Sequence, residues 1–234
     1  MKPESGLAKF LRFIGILFMA LTAAVTVLAG VGTSCVAFAP TNWGESMAKI
    51  APMQWLYILY VILTIAIGVL GIRAVVMLAK GRQGAYKAAL LALVLGLVVG
   101  VLHMITSRNL RGSSMPVDGI VYITVLTLVI FLVFRIPTIW SGVDYTKAPR
   151  KEGKKNAGAA AIVTGVLCLT IQFFMAPTHT LGGINYADAF HATMSIVGGA
   201  LILTGLSFTL SDLIALKADR VKTNSTVYSR ERIQ

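Results

Sequence analysis

Six long apolar runs divide the sequence, and most charged residues fall in the short segments between them. The runs cover residues 13–38, 54–79, 85–106, 117–140, 157–175 and 189–215. Each run has about 18 or more residues, the length that a helix needs to cross a hydrocarbon core about 30 Å thick. The pattern predicts an all-α, polytopic transmembrane bundle of six helices. Because no segment between the runs is long enough to fold independently, residues 1–234 are expected to form one membrane-embedded domain.

Composition and charge agree with a lipid environment. Hydrophobic residues make up 56% of the chain and charged residues only 13%, whereas soluble domains carry about 25% charged residues. The two cysteines, Cys35 and Cys168, are too few for a disulfide framework or a zinc site. A net charge of +12 would suggest nucleic acid for a soluble protein. In a membrane protein, however, the placement of Lys and Arg has to be considered first, and we expect no nucleic-acid partner.

The basic residues predict the orientation of the chain. With both termini in the cytoplasm, only Lys49, Arg108 and Arg111 of the 21 Lys and Arg residues lie on the outer side. Lys and Arg are retained on the cytoplasmic side of membrane proteins, and adding or removing one span would destroy this asymmetry. Six spans, cytoplasmic termini and a multi-pass location in a cell membrane, of the bacterial inner-membrane type, are therefore predicted together.

The first apolar run has a second interpretation, as a signal peptide. Basic residues precede it, and Ala37-Phe38-Ala39 has the small-x-small form of a cleavage site. The run is much longer than the apolar region of a signal peptide, about 7–15 residues, and Pro40 follows the site immediately. These features favour a retained membrane helix.

Aromatic residues are predicted to lie at both membrane boundaries, where amphipathic rings favour the head-group region. The outer boundary would hold Trp43, Trp55, Tyr57 and Tyr186, and the inner one Tyr86, Trp140 and Tyr145. Ionisable residues, by contrast, are missing from the middle of the predicted spans. Because proton pathways usually keep such residues there, proton pumping is disfavoured.

All three histidines are predicted to lie near the outer side. His103 and His191 would lie at similar depth on the third and sixth spans, and each continues into a stripe of small residues. Two imidazoles at matched depth could be the axial ligands of a b-type haem, with the small residues leaving room for the macrocycle. Haem b bound by His103 and His191 is therefore one cofactor hypothesis.

The last outer loop suggests a different metal site. His179 and Asp188 lie in the segment 177–190, and His191 follows directly. Imidazole and carboxylate can bind several transition metals, and nearby methionines would suit copper. A copper site formed by His179, Asp188 and His191 is the second cofactor hypothesis.

Helix packing explains the same small residues without a cofactor. Gly96-x-x-x-Gly100 and Ser195-x-x-x-Gly199 are spaced as in close contacts between membrane helices. Histidine near an interface can also bond a carbonyl or water. Packing is therefore the favoured interpretation of both stripes.

Three functions remain open, and no catalytic residues are predicted. The favoured one is a noncatalytic subunit or scaffold that associates with other membrane subunits or with itself. A haem b or copper protein of redox or metal-handling function is the second. The third is a small transporter or a membrane-embedded substrate-binding subunit, because the size and the six spans resemble the substrate-binding components of vitamin transporters. Neither a phosphate-binding glycine loop nor a nucleophile–His–acid set is visible, so an enzyme is not expected.

Overall fold

The computed structural model is a bundle of long helices, which confirms the all-α transmembrane fold. It describes the backbone of residues 1–147, 150–181, 183–185, 188 and 191–231, and most side chains of these residues up to 211. A two-residue antiparallel ribbon, β1 (Thr180–Leu181) and β2 (Ile184–Asn185), precedes the last helix. The helices are α1 (Gly6–Phe38), α2 (Glu45–Ala48), α3 (Gln54–Ala79), α4 (Ala85–Arg111), α5 (Val117–Phe134), α6 (Pro137–Val143), α7 (Arg150–His179) and α8 (His191–Glu231).

Five of the described helices are long and apolar enough to cross a membrane. They are α1, α3 with the turn before it, α4, α5 and the first half of α8, with mean hydropathies between 1.7 and 2.6. The predicted span 157–175 lies within α7, several of whose side chains are outside the described residues. The number six and the sides of the two termini therefore stay predictions.

The fourth span is shorter than the apolar pattern predicts. The run 117–140 is not one helix, because α5 ends at Phe134 and α6 begins at Pro137. Between them, Ile136 has a φ of −57° and an extended ψ of 125°. Steric conflict with the proline ring disfavours the helical conformation in the preceding residue, and proline itself is well suited to the first turn of a helix. The apolar residues after Arg135 form a short separate helix.

Helix α1 lies at the centre of the bundle and packs against α3, α5, α6 and α7. Its contact with α3 is built from small residues. A Cβ added at Gly71 would lie 2.8 Å from the Cβ of Ala23, and one at Gly68 would lie 3.0 Å from the backbone nitrogen of Val27. Small side chains let two backbones approach closely, which is how helices gain dispersion energy in lipid.

A hydrogen bond within the apolar interior joins α1 to α5. The hydroxyls of Thr22 and Thr127 are 2.7 Å apart and both buried, and Thr26 donates to the carbonyl of Thr22 at 2.7 Å. Each hydroxyl is thus satisfied inside the bundle, as an interior without water requires.

The basic end of the bundle is held by a buried ion pair between α1 and α7. Arg12, only 1% exposed, donates from Nε and Nη2 to the two carboxylate oxygens of Glu152, each at 2.7 Å. Its Nη1 donates to the carbonyl of Gly142 in α6 at 2.6 Å. One guanidinium therefore fixes three helices, and the bidentate geometry makes the pair directional.

The last two long helices form a tightly packed hairpin. A Cβ added at Gly198 of α8 would lie 2.8 Å from the carbonyl oxygen of Gly165 in α7, and one at Gly205 would lie 2.5 Å from that of Gly158. Among the described elements, α8 packs extensively only on α7, and α7 contacts α1 and α3. The hairpin joins the bundle through α7.

Loss of one partner of the Arg12–Glu152 pair should destabilise the protein strongly. We expect Arg12→Met to lower the free energy of unfolding by about 3–5 kcal/mol, because it leaves a buried carboxylate without its partner. Denaturant unfolding in a mild detergent, followed by circular dichroism, measures the change. The double variant Arg12→Met, Glu152→Leu should recover much of the loss, since neither charge is then left alone.

The matched control for that prediction is the exposed pair between Lys9, in the first turn of α1, and Glu4, which precedes the helix, 3.9 Å apart. Lys9→Met should change the stability by less than about 1 kcal/mol. Equal effects of Lys9→Met and Arg12→Met would show that the buried pair has no special role.

The α7–α8 contact can be tested with two neighbouring glycines. Gly198→Ala should destabilise the protein by about 1–3 kcal/mol, because the new methyl group has no room against α7. Gly199, with no atom within 4 Å of an added Cβ, is the matched control. Gly199→Ala should be neutral or stabilising, since alanine favours a helix by up to about 1 kcal/mol over glycine. Thermal unfolding in detergent measures the stability of both variants. Equal unfolding temperatures of the two variants would contradict the close α7–α8 contact.

Candidate functional site

A small, mainly apolar cavity with several polar groups in its lining lies between α1, α3, α4 and α5, in the half of the bundle that holds the end of α1 and the start of α3. It has about 20 Å³ of space for the centre of a water molecule, enough for roughly one water. The polar groups that line it are Thr26, Thr33, Tyr60, Thr64 and His103. A cavity of this size suits a water or a similarly small polar molecule.

His103 is buried on the side of α4 that faces α3. Its imidazole stacks on the ring of Tyr60 with centroids 4.5 Å apart and planes at 16°, and the ring of Tyr57 meets it edge-on at 5.2 Å. Among the described residues the imidazole makes no hydrogen bond to the protein, and it lines the small cavity. The cavity is therefore where a ligand of this imidazole would sit.

Two hydroxyl pairs fix the tyrosines around His103. The hydroxyl of Tyr57 is 2.8 Å from that of Ser107, and the hydroxyl of Tyr60 is 3.0 Å from that of Thr106. The side chain of Tyr57 is 1% exposed and points into the bundle, so its ring does not face the lipid head groups as predicted. The spacing of His103, Thr106 and Ser107 on one helix face could have indicated a polar contact, but the sequence does not show which helix it meets.

The connection between α4 and α5 is closed by a separate polar cluster. Arg108 donates to Ser114 at 2.8 Å and to Asp118 at 3.2 Å, and the buried hydroxyl of Ser114 donates to the same carboxylate. No role for Ser114 was predicted from the sequence. By bonding to both Arg108 and Asp118, Ser114 has a structural role at the connection between α4 and α5.

The structure does not bring His103 and His191 together. Helix α4 packs on α3 and α5, whereas α8 packs on α7. His191 is the first residue of α8 and its side chain is exposed. A haem held by these two histidines stays a prediction, and the space beside His103 is much smaller than a macrocycle.

The second predicted site lies partly outside the described residues, since the side chain of His179 is among those not described. Asp188 and His191 are both described and exposed. Among the described residues no group of three His, Cys, Asp or Glu side chains could hold a metal ion. The copper site of His179, Asp188 and His191 therefore stays a prediction.

The small residues beside the two helical histidines are packing surfaces. A Cβ at Gly100 would lie 3.0 Å from Val121 of α5, and one at Gly96 would lie 3.5 Å from Ile67 of α3. Gly198 faces α7 in the same way, as described above. These contacts support the packing interpretation for Gly96, Gly100 and Gly198, whereas Gly199 has no atom within 4 Å of an added Cβ.

The side of α8 that faces away from α7 carries a stripe of small and hydroxyl residues. Ala200, Thr204, Ser207 and Ser211 are all exposed and share one helix face by their spacing. The hydroxyls of Thr204 and Ser211 donate to carbonyls one turn earlier, at 2.7 and 2.6 Å. We call these four residues the hydroxyl stripe of α8.

The tyrosine contacts of His103 lead to a stability prediction. Tyr57→Phe should lower the free energy of unfolding by about 1–3 kcal/mol, because the buried hydroxyl of Ser107 loses its partner. Tyr122→Phe is the control, since Tyr122 is 62% exposed on α5. Thermal unfolding in detergent measures both, and an equal response of the two variants would contradict a role for the Tyr57–Ser107 pair.

Comparison of the chain with known protein families, with curated proteins and with solved structures finds no match.

Proposed function

We propose that this protein is a noncatalytic subunit or scaffold of a membrane complex, and that α8 is the helix that meets its partner. The proposal depends mainly on how little of α8 is covered. Only 11% of its most apolar segment is buried inside the chain, compared with 22–39% for the other four candidate spans. The helix is attached along one side and leaves the hydroxyl stripe open.

The chemistry of the hydroxyl stripe supports a protein partner. Small or polar side chains gain little from contact with lipid tails, whereas helix interfaces in membranes are enriched in Gly, Ala, Ser and Thr. Residues of this kind let a second helix approach closely and offer it hydrogen bonds. Thr204 and Ser207 lie at the middle of the stripe and are the residues expected to contact the partner.

The cavity beside His103 fits a noncatalytic role. The space beside His103 has room for about one water and could not enclose an organic substrate. The polar pairs around it, such as Tyr57 with Ser107, join helices to each other. These pairs therefore contribute to the packing of the helices.

Site-specific photo-cross-linking in native membranes tests the proposal. A photoreactive residue at Thr204 or Ser207 should give a cross-linked protein band of defined mass. The same residue at Leu126 or Val129, exposed positions on α5, should cross-link only lipid. A product of twice the chain mass of 25.0 kDa would indicate a homo-oligomer, and another mass a different subunit. Lipid products alone at all four positions would refute the proposal.

A matched pair of variants tests the same surface by purification. Thr204→Leu with Ser207→Leu should reduce the recovery of the partner about tenfold, because each interhelical polar contact in a membrane contributes up to about 1–2 kcal/mol. Val129→Leu on α5 should leave the recovery unchanged. Partner recovery that is insensitive to the α8 substitutions would place the interface elsewhere.

Protein purified in a mild detergent also tests the two alternative functions. A Soret band, or bound copper, that is lost in both His103→Ala and His191→Ala would replace the proposal by a redox or metal-handling function. Copurification with an ATPase pair, together with a thermal shift on addition of a vitamin, would favour a substrate-binding subunit of a transporter.

A further inference from the structure

A larger cavity lies at the opposite end of the bundle, the end that carries most of the basic residues. It has a volume of about 350 Å³ and lies between the start of α4, the end of α5, α6 and the turn at residues 145–147. This volume is within the range of about 300–1,000 Å³ that is usual for small-molecule sites. Three cationic side chains line it, and they belong to Arg82, Lys87 and Arg135.

Aromatic rings hold one of these cations in place. The guanidinium carbon of Arg135 is 4.9 Å from the ring centroid of Trp140 and 5.5 Å from that of Tyr86. Contact with two ring faces orients the guanidinium without neutralising its charge. The tyrosine hydroxyl in turn donates to the carbonyl of Phe131 at 2.7 Å, which fixes the ring. The site is therefore pre-organised around a charged group.

The three cations have no anionic partner in the part of the chain that the structure describes. The ion pairs found there join Lys9 to Glu4, Arg12 to Glu152, Arg108 to Asp118 and Lys147 to Asp144. Arg82, Lys87 and Arg135 take part in none of them. Three positive charges around one cavity raise each other's energy unless an external anion joins them.

The carboxylate that lines the cavity is already engaged. Asp144 accepts hydrogen bonds from the backbone and hydroxyl of Thr146 at 3.1 and 2.7 Å, and lies 3.4 Å from the ammonium of Lys147. Burial alone would raise its pKa, but the hydrogen bonds from Thr146 and the neighbouring Lys147 hold the pKa below its ordinary value. Asp144 is therefore an anion whose charge Lys147 balances.

The start of α4 adds a further positive element. This 27-residue helix begins at Ala85, and Gly84 before it supplies no side-chain cap. Both residues line the cavity. The first N–H groups of a helix and the positive end of its dipole form a favourable place for an anion, phosphate above all.

We propose that this cavity binds the phosphate group of an anionic ligand through Arg82, Lys87 and Arg135. Arginine and lysine are the residues that pair best with phosphate oxygens. The phosphate could belong to an anionic lipid of the adjacent leaflet or to a soluble phosphate ester. Tyr86 and Trp140 lie where rings sit at the head-group level, and basic pockets of this kind between helices bind lipid head groups.

The experiment uses the full-length chain purified in a neutral detergent. Native mass spectrometry follows the binding of phosphatidylglycerol, with zwitterionic phosphatidylcholine as the reference lipid. The wild type should retain phosphatidylglycerol selectively. Arg82→Gln with Lys87→Gln should weaken this binding about 25-fold, since each basic residue near an anionic head group contributes about fivefold.

Two further variants distinguish a loss of binding from damage to the fold. Arg73→Gln removes an exposed basic residue of α3 that does not line the cavity, and should leave the binding unchanged. Asp144→Asn removes a negative charge from the lining and should strengthen the binding severalfold, an effect opposite to that of a damaged fold. Equal binding of the two lipids together with no response to soluble phosphate, or equal losses in Arg73→Gln and the double variant, would overturn the proposal.

A second titration distinguishes the two sources of phosphate. Inorganic phosphate and glycerol phosphate are added to lipid-free protein, and the thermal unfolding temperature is recorded. A rise with soluble phosphate that is lost in the double variant, without selective lipid binding, would support a soluble ester as the ligand. Selective lipid binding without that rise would support the lipid. Absence of both responses would show that the cavity does not bind phosphate.

Discussion

The structure depends on one constraint, that a polar group inside a membrane protein must find its partner within the protein. Helices satisfy the backbone, and several of the buried polar side chains are joined in pairs across helices. Thr22 meets Thr127, Tyr57 meets Ser107, and Arg12 meets Glu152. These pairs lie near the middle of the bundle, at the end opposite the basic one, and at the basic end. Apolar contacts alone have little specificity in lipid, so such pairs determine which helices are neighbours.

Apolar length was enough to locate five of the six predicted spans, because a hydrocarbon core requires it, but it did not locate the ends of the helices. The residues after Phe134 continue the apolar pattern, and only Pro137 indicates the break that the structure has there. The ion pair between Arg12 and Glu152 could also not be predicted from the sequence. Arg12 and Glu152 are 140 positions apart, and Glu152 stands in a run of basic residues that is typical of a solvated loop. Nothing local in the sequence indicates that it is half of a buried pair.

The candidate site shows the same limit. The sequence identified His103 as unusual and placed it in the outer half of its helix, since depth follows from position in the span. Its neighbours depend on how the helix is turned and which helices lie beside it. Depth alone suggested His191 as a partner, whereas lateral packing places Tyr57 and Tyr60 there. The cationic cavity was missed for a related reason: Arg82 and Arg135 lie 53 positions apart, and each alone is an ordinary interfacial residue.

The glycine contact between α7 and α8 has a mechanical consequence. Because the backbones meet at Gly165 and Gly198, and the side chains of Leu169 and Ile202 pack against these glycines, α8 has little room to slide along α7. In the described part of the chain, α8 has no other extensive attachment, so a force applied to it passes into α7. Close to the start of α7 stands Glu152, bound to Arg12 and through it to α6, which borders the cationic cavity. These contacts connect α8 to the cationic cavity through α7, Arg12 and α6.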